Sequence, residues 1–77
     1  MNSDDSALFF AYTPPEITAF LIEADEVGFQ LEILLRFYDR GDWTGVRRCH
    51  LMLHSAAARM NIAWPAADEA FTAWRRE

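Results

Sequence analysis

Seventy-seven residues make a single domain, close to the lower size at which a chain buries enough apolar surface to fold unaided. The one cysteine excludes an internal disulfide and a thiolate-rich zinc site, and a 52% apolar share excludes a disordered chain. The net charge of −5, in which all seven basic residues are arginine, repels phosphate backbones and argues against general nucleic-acid binding.

A core of this size contributes only about 3 to 5 kcal/mol, so small domains usually lean on disulfides, a metal or a partner. With the first two set aside, another protein or a second copy is the expected support, and no cofactor is implied. No apolar run approaches the roughly 20 residues that cross a bilayer, so membrane insertion is not expected. The opening MNSDDSALFF is acidic and lacks the basic start of a secretory signal, which points to the cytoplasm.

In chain order, residues 1–6 are expected to be a disordered tail and residues 7–12 an apolar arm. The stretch Tyr12-Thr13-Pro14-Pro15-Glu16-Ile17 then predicts a helix start. Thr13 would cap it, Glu16 would reach back to the Thr13 amide, Pro14 would take the first helical position, and Tyr12 and Ile17 would form a hydrophobic staple. The helix should span 14–40. Arg36 and Arg40 suit its negative end, and Gly41 suits a left-handed cap. Asp42 is the natural cap of a second helix over 42–62, with Gly45 a weak spot in its first turn. Pro65 predicts a break and a short third helix over 65–75. The short Gly41-Asp42 connection makes the first two helices antiparallel neighbours. The predicted fold is therefore all-α, a long antiparallel helical hairpin plus a short third helix, with an apolar N-terminal arm.

The first helix carries two apolar stripes. Ile17, Leu21, Ala24, Gly28, Leu31, Leu35 and Tyr38 follow alternating steps of four and three, widened by Phe20, Val27 and Leu34. Gly28 lies within this stripe as a packing compromise that lets helices approach closely. Ala19, Ile22, Phe29, Ile33 and Phe37 fall on another side. The second helix offers one matching stripe, from Trp43 through Val46, Cys49, Leu53, Ala56, Ala57 and Met60 to Trp64, which can cover one side of the first helix only. The second stripe is then either covered by the arm and third helix or open for association. Charge is lopsided too: six acids against two arginines in helix one, and Asp42 against three arginines in helix two. Arg48 and Arg59 are expected to point away from the core. The candidate protein-binding residues are accordingly Ile22, Phe29, Ile33, Phe37, Arg48 and Arg59.

Cys49, His50 and His54 raise the question of chemistry. The two histidines share a helix side and could hold one ion together, but two ligands make no stable site, and the residue after His50 is leucine where a metalloprotease needs glutamate. Cys49 points into the apolar stripe, so its thiol reads as a core group and not a nucleophile. No catalytic residue or metal ligand is assigned. A helix-turn-helix reading fails because helix one is too long and helix two lacks a base-reading start.

Gly41-Asp42-Trp43, Arg47-Arg48 and a helical histidine followed by small residues together resemble the histidine phosphotransfer domains of two-component signalling, over about twenty residues. The resemblance implies a four-helix bundle and a phosphorylated His50 or His54. It departs at the lysine three positions after that histidine, where Leu53 or Ala57 stands here. The sequence favours a non-enzymatic protein–protein interaction module working through an exposed apolar helix face. Adaptors, chaperone-like subunits and small inhibitors of larger complexes, such as phages and plasmids carry, are of this size. Its partner would be another protein or itself, as a homodimer, and the alternative is a degenerate phosphotransfer-like protein.

Overall fold

A computed structural model describes residues 13–76, except for the side chain of the last, and the expected tail, arm and Tyr12 staple lie outside them. Two helices, α1 (Pro15–Asp39) and α2 (Trp43–Arg76), pack together as a hairpin. At 1.5 Å per residue they are about 37 and 51 Å long.

The start of α1 differs by one residue from the sequence expectation. Pro14 is the N-cap, with φ −55° and ψ 141°, and Pro15 is the first helical residue. A residue before proline is pushed out of the helical region, so Pro15 keeps Pro14 extended and the helix cannot begin earlier. The Pro14 carbonyl then accepts from the Ile17 and Thr18 amides, both at 3.1 Å, while Pro14 itself supplies no side-chain cap.

The turn follows the sequence closely. Gly41 has φ +72°, its amide donates to the Tyr38 carbonyl at 2.9 Å, and the Asp42 amide donates to the Phe37 carbonyl at 2.9 Å. These two bonds form a Schellman motif, which satisfies the carbonyls left open at the end of α1. The Asp42 carboxylate then accepts from the Gly45 amide at 3.0 Å and caps α2. Two helix ends are thus closed within three residues, which fixes the hairpin's direction.

The third helix does not form as a separate element, because α2 continues through Pro65 to Arg76. Proline cannot donate to the carbonyl four residues back, here that of Asn61, and the loss is typically about 3 kcal/mol in a helix interior. Packing overrides it. Val46, Cys49, Leu53, Ala56, Met60, Ala63, Ala67, Ala70 and Trp74 form the covered strip of α2, at strict alternating steps of three and four across position 65. A break at Pro65 would throw the later positions off α1.

The seam on α1 follows one flank of the first stripe, through Ile17, Phe20, Ala24, Val27 and Leu34, and takes in Phe37 from the second. Gln30 is covered among them. Leu21, Leu31, Leu35 and Tyr38, expected in the core, are 46–62% exposed. The reason lies in α2. Its most deeply buried positions are small, with Ala56 at 0% and Ala67 at 4%, so the backbones approach closely and large side chains move to the rims. Trp43 and Trp64 are half-exposed on such a rim. Phe20 bridges to Trp64 with ring centroids 5.2 Å apart.

The close approach expected at Gly28 occurs at Gly45 instead. Gly28 is exposed and a Cβ built there meets nothing within 4 Å, whereas one on buried Gly45 would run into the Phe37 ring.

Candidate interaction surface

A two-helix hairpin has two flat faces, and two contacts tell them apart. Glu23 and Arg59 pair across the seam at 2.9 Å on one face. Leu21, Trp64 and Phe71 line a shared groove of about 350 Å³ on the other. Stepping about 100° per residue from these marks assigns the remaining side chains. The first face is mostly polar, carrying Glu16, Glu23, Gln30 and Arg59 along its length, with Met52, 51% exposed, one heptad before Arg59. The second is apolar. α1 contributes Leu21, Leu31, Leu35 and Tyr38, and α2 contributes Trp43, Trp64 and Phe71, each 46–62% exposed. A second groove of about 540 Å³, lined by Leu34, Trp43, His50 and Leu51 among others, continues this face toward the turn.

Further apolar groups stand outside both faces. Ile22 and Phe29 project from the outer side of α1 and Ile62 from the outer side of α2, at 54–80% exposure, and Leu51 stands 69% exposed at the edge of the second groove. Among the described residues twelve large hydrophobic side chains are exposed, while the buried hydrophobic set is Ile17, Val46, Cys49, Ala56 and Ala67. Among the described residues most of the large apolar groups are turned outward, the reverse of the usual burial order.

The candidate residues read from the sequence separate in the structure. Ile22 and Phe29 are open to solvent, as an association surface requires. Ile33 is half-buried, and Phe37 packs over Gly45 within the hairpin. Arg48 is exposed. Arg59, expected to point away from the core, reaches back to Glu23, although its side chain keeps 52% of its exposure. The seven residues of the apolar face were not picked out as binding residues in the sequence, because the assumed seam included most of them. The usable signal was size. The run of alanines at 56, 63, 67 and 70 marks where two backbones meet, and aromatics one turn aside mark the rim.

The Cys-His stretch spreads around α2. Cys49 is 5% exposed and lies in the seam, while His50 and His54 are exposed with ring centroids 6.3 Å apart. Among the described residues no three His, Cys, Asp or Glu side chains gather to hold a metal ion. No buried side-chain nitrogen or oxygen among them lacks a hydrogen-bond partner. No described helix is long and apolar enough to cross a membrane. No protein-family model, curated protein or solved structure matches the chain.

Proposed function

We propose that this chain is a non-enzymatic protein-interaction module that works in the cytoplasm and whose exposed apolar surface is covered by protein in the bound state. The observation that carries the reading is the turning outward of twelve large hydrophobic side chains among the described residues, while the positions buried deepest in the seam are Ala56 and Ala67. Contiguous apolar patches above a few hundred Å² are uncommon on proteins that act alone and mark interaction sites. Tyr38, Trp43 and Trp64, which are amphipathic and half-exposed, are of the residue types enriched at interface centres. Ile22 and Phe29 extend the available contact area around α1, and Arg48 supplies a cation beside the polar face. An adaptor, a chaperone-like subunit or a small inhibitor of a larger complex would all use such a surface.

Hydroxyl-radical footprinting tests this directly. In intact cells, Tyr38, Trp43 and Trp64 should be modified several-fold less than in the purified chain diluted until it is monomeric. Equal modification in both settings would overturn the proposal.

A further inference from the structure

We infer that the occupant of the apolar face is a second copy of the chain, docked about a twofold axis parallel to the hairpin to give an antiparallel four-helix bundle. The inference rests on the interaction-module reading and specifies its partner.

Charge is the first argument. Glu16, Glu23 and Arg59 belong to the polar face, but along the edges of the apolar face α1 carries Asp25, Glu32 and Asp39 at heptad spacing, while α2 carries Arg47 and Arg75 against Asp68. A flat apolar face with a negative helix along one edge and a positive helix along the other is its own complement. A twofold axis along the hairpin places each α1 over the partner's α2, so opposite charges meet. An axis across the hairpin would instead lay α1 on α1 and α2 on α2, setting like charges together. Both arrangements make every neighbouring helix pair antiparallel, the packing of up-and-down bundles, so charge decides between them.

Register gives the second argument. Phe20 lies level with Trp64, Glu23 with Arg59, and Phe37 with Gly45. Rotation about the long axis keeps these levels. Leu21 then meets the partner's Trp64, and Tyr38 meets the partner's Trp43. Glu32 on the α1 rim stands level with the partner's His50, beside the partner's Arg47. Gly28 lies midway along the face with nothing within 4 Å of a Cβ, which leaves room for the second hairpin to come close.

Area is the third. Four half-exposed aromatic side chains, each offering roughly 150–250 Å² when fully counted, supply on the order of 400 Å² per chain, and three half-exposed leucines add to it. A stable interface takes about 800 Å² from each partner. The apolar face supplies more than half of that figure, and the charged rims add to it.

Sedimentation equilibrium of the full chain tests the inference, with a dimer of two 8.9 kDa chains expected at micromolar concentration. Leu31→Glu should give a monomer, while Ile62→Glu, on the outer side of α2, should leave the dimer intact. Because a face variant could also lose its fold, the exposed rim supplies a second reading. Glu32→Arg and Arg47→Glu should each weaken dimerisation roughly three- to tenfold, and the double variant should recover most of the loss. Three results would overturn the inference: a monomer at every concentration, a dimer broken by Ile62→Glu and not by Leu31→Glu, or two rim losses that simply add. Footprinting separates this failure from that of the broader reading. A monomeric chain whose Trp43 and Trp64 are shielded in cells is covered by a different protein, whereas one whose tryptophans are unshielded is no interaction module.

Discussion

Replacing Gly45 with alanine should destabilise the hairpin, although alanine is the better helix former. Gly45 is buried at the third helical position of α2, where its amide is held by Asp42. An added Cβ would stand 2.5 Å from Phe37 Cγ and 2.8 Å from Cε1, against 3.4–4 Å for ordinary contact. Since Cγ joins the ring to its stem, no terminal rotation relieves the clash and the whole ring must shift. Overpacking of this kind costs about 1–3 kcal/mol. The gain in helix propensity is at most about 1 kcal/mol and is smaller in a first turn. A net loss of about 1–2 kcal/mol follows, and each kcal/mol lowers Tm by roughly 4–8 °C in a domain of this size. Thermal unfolding followed by far-UV circular dichroism, at one fixed chain concentration so that association contributes equally, reads the difference. In a Phe37→Leu background the same substitution should become close to neutral, because its obstacle has shrunk. A rise in Tm on Gly45→Ala in the unaltered protein would refute the close approach of α1 and α2 at this point.

Pro65→Ala should stabilise α2 by roughly 1–3 kcal/mol in urea unfolding, since it restores a donor to the Asn61 carbonyl in a helix that already continues through this position. A loss of stability would mean that proline's stiffening of the unfolded chain outweighs the missing bond. Asp42→Ala should cost about 1 kcal/mol through loss of the cap on the Gly45 amide, and Asp42→Asn should keep most of it. Equal losses for the two variants, measured by chemical denaturation, would show that charge and not the cap bond is the contribution.

Local chemistry made the turn legible. Gly41 and Asp42 each admit few roles, and both take the expected one. The same local rules misplaced Pro65, because the cost of a proline is read from a few neighbours while its compensation is spread along a seam of nine covered positions. The helical hairpin was visible in the apolar periodicity of both helices, but its rotation was not. α1 has apolar residues on nearly every side except its acidic edges, so periodicity left the seam ambiguous within about a quarter turn. The decision came from α2, whose alanines bring the backbones together and tip the larger groups outward. The same ambiguity hid the candidate surface, since Leu31, Leu35, Trp43 and Trp64 could equally have been core. Ile22 and Phe29 stayed legible because they lie opposite every plausible seam.

The three-residue connection also sets an order of events in time. Phe37 and Gly45 are eight positions apart along the chain, Glu23 and Arg59 thirty-six, and Phe20 and Trp64 forty-four. Loop-closure entropy rises with that separation, so contacts next to the turn form first and each one shortens the loop left for the next. Such a topology, dominated by contacts that build on their neighbours, belongs to the fast-folding end of small domains. The hairpin is expected to zip from Gly41 outward and to open from the other end. Amide exchange should therefore grade along both helices, slowest beside the turn and fastest around Ile17 and Trp74.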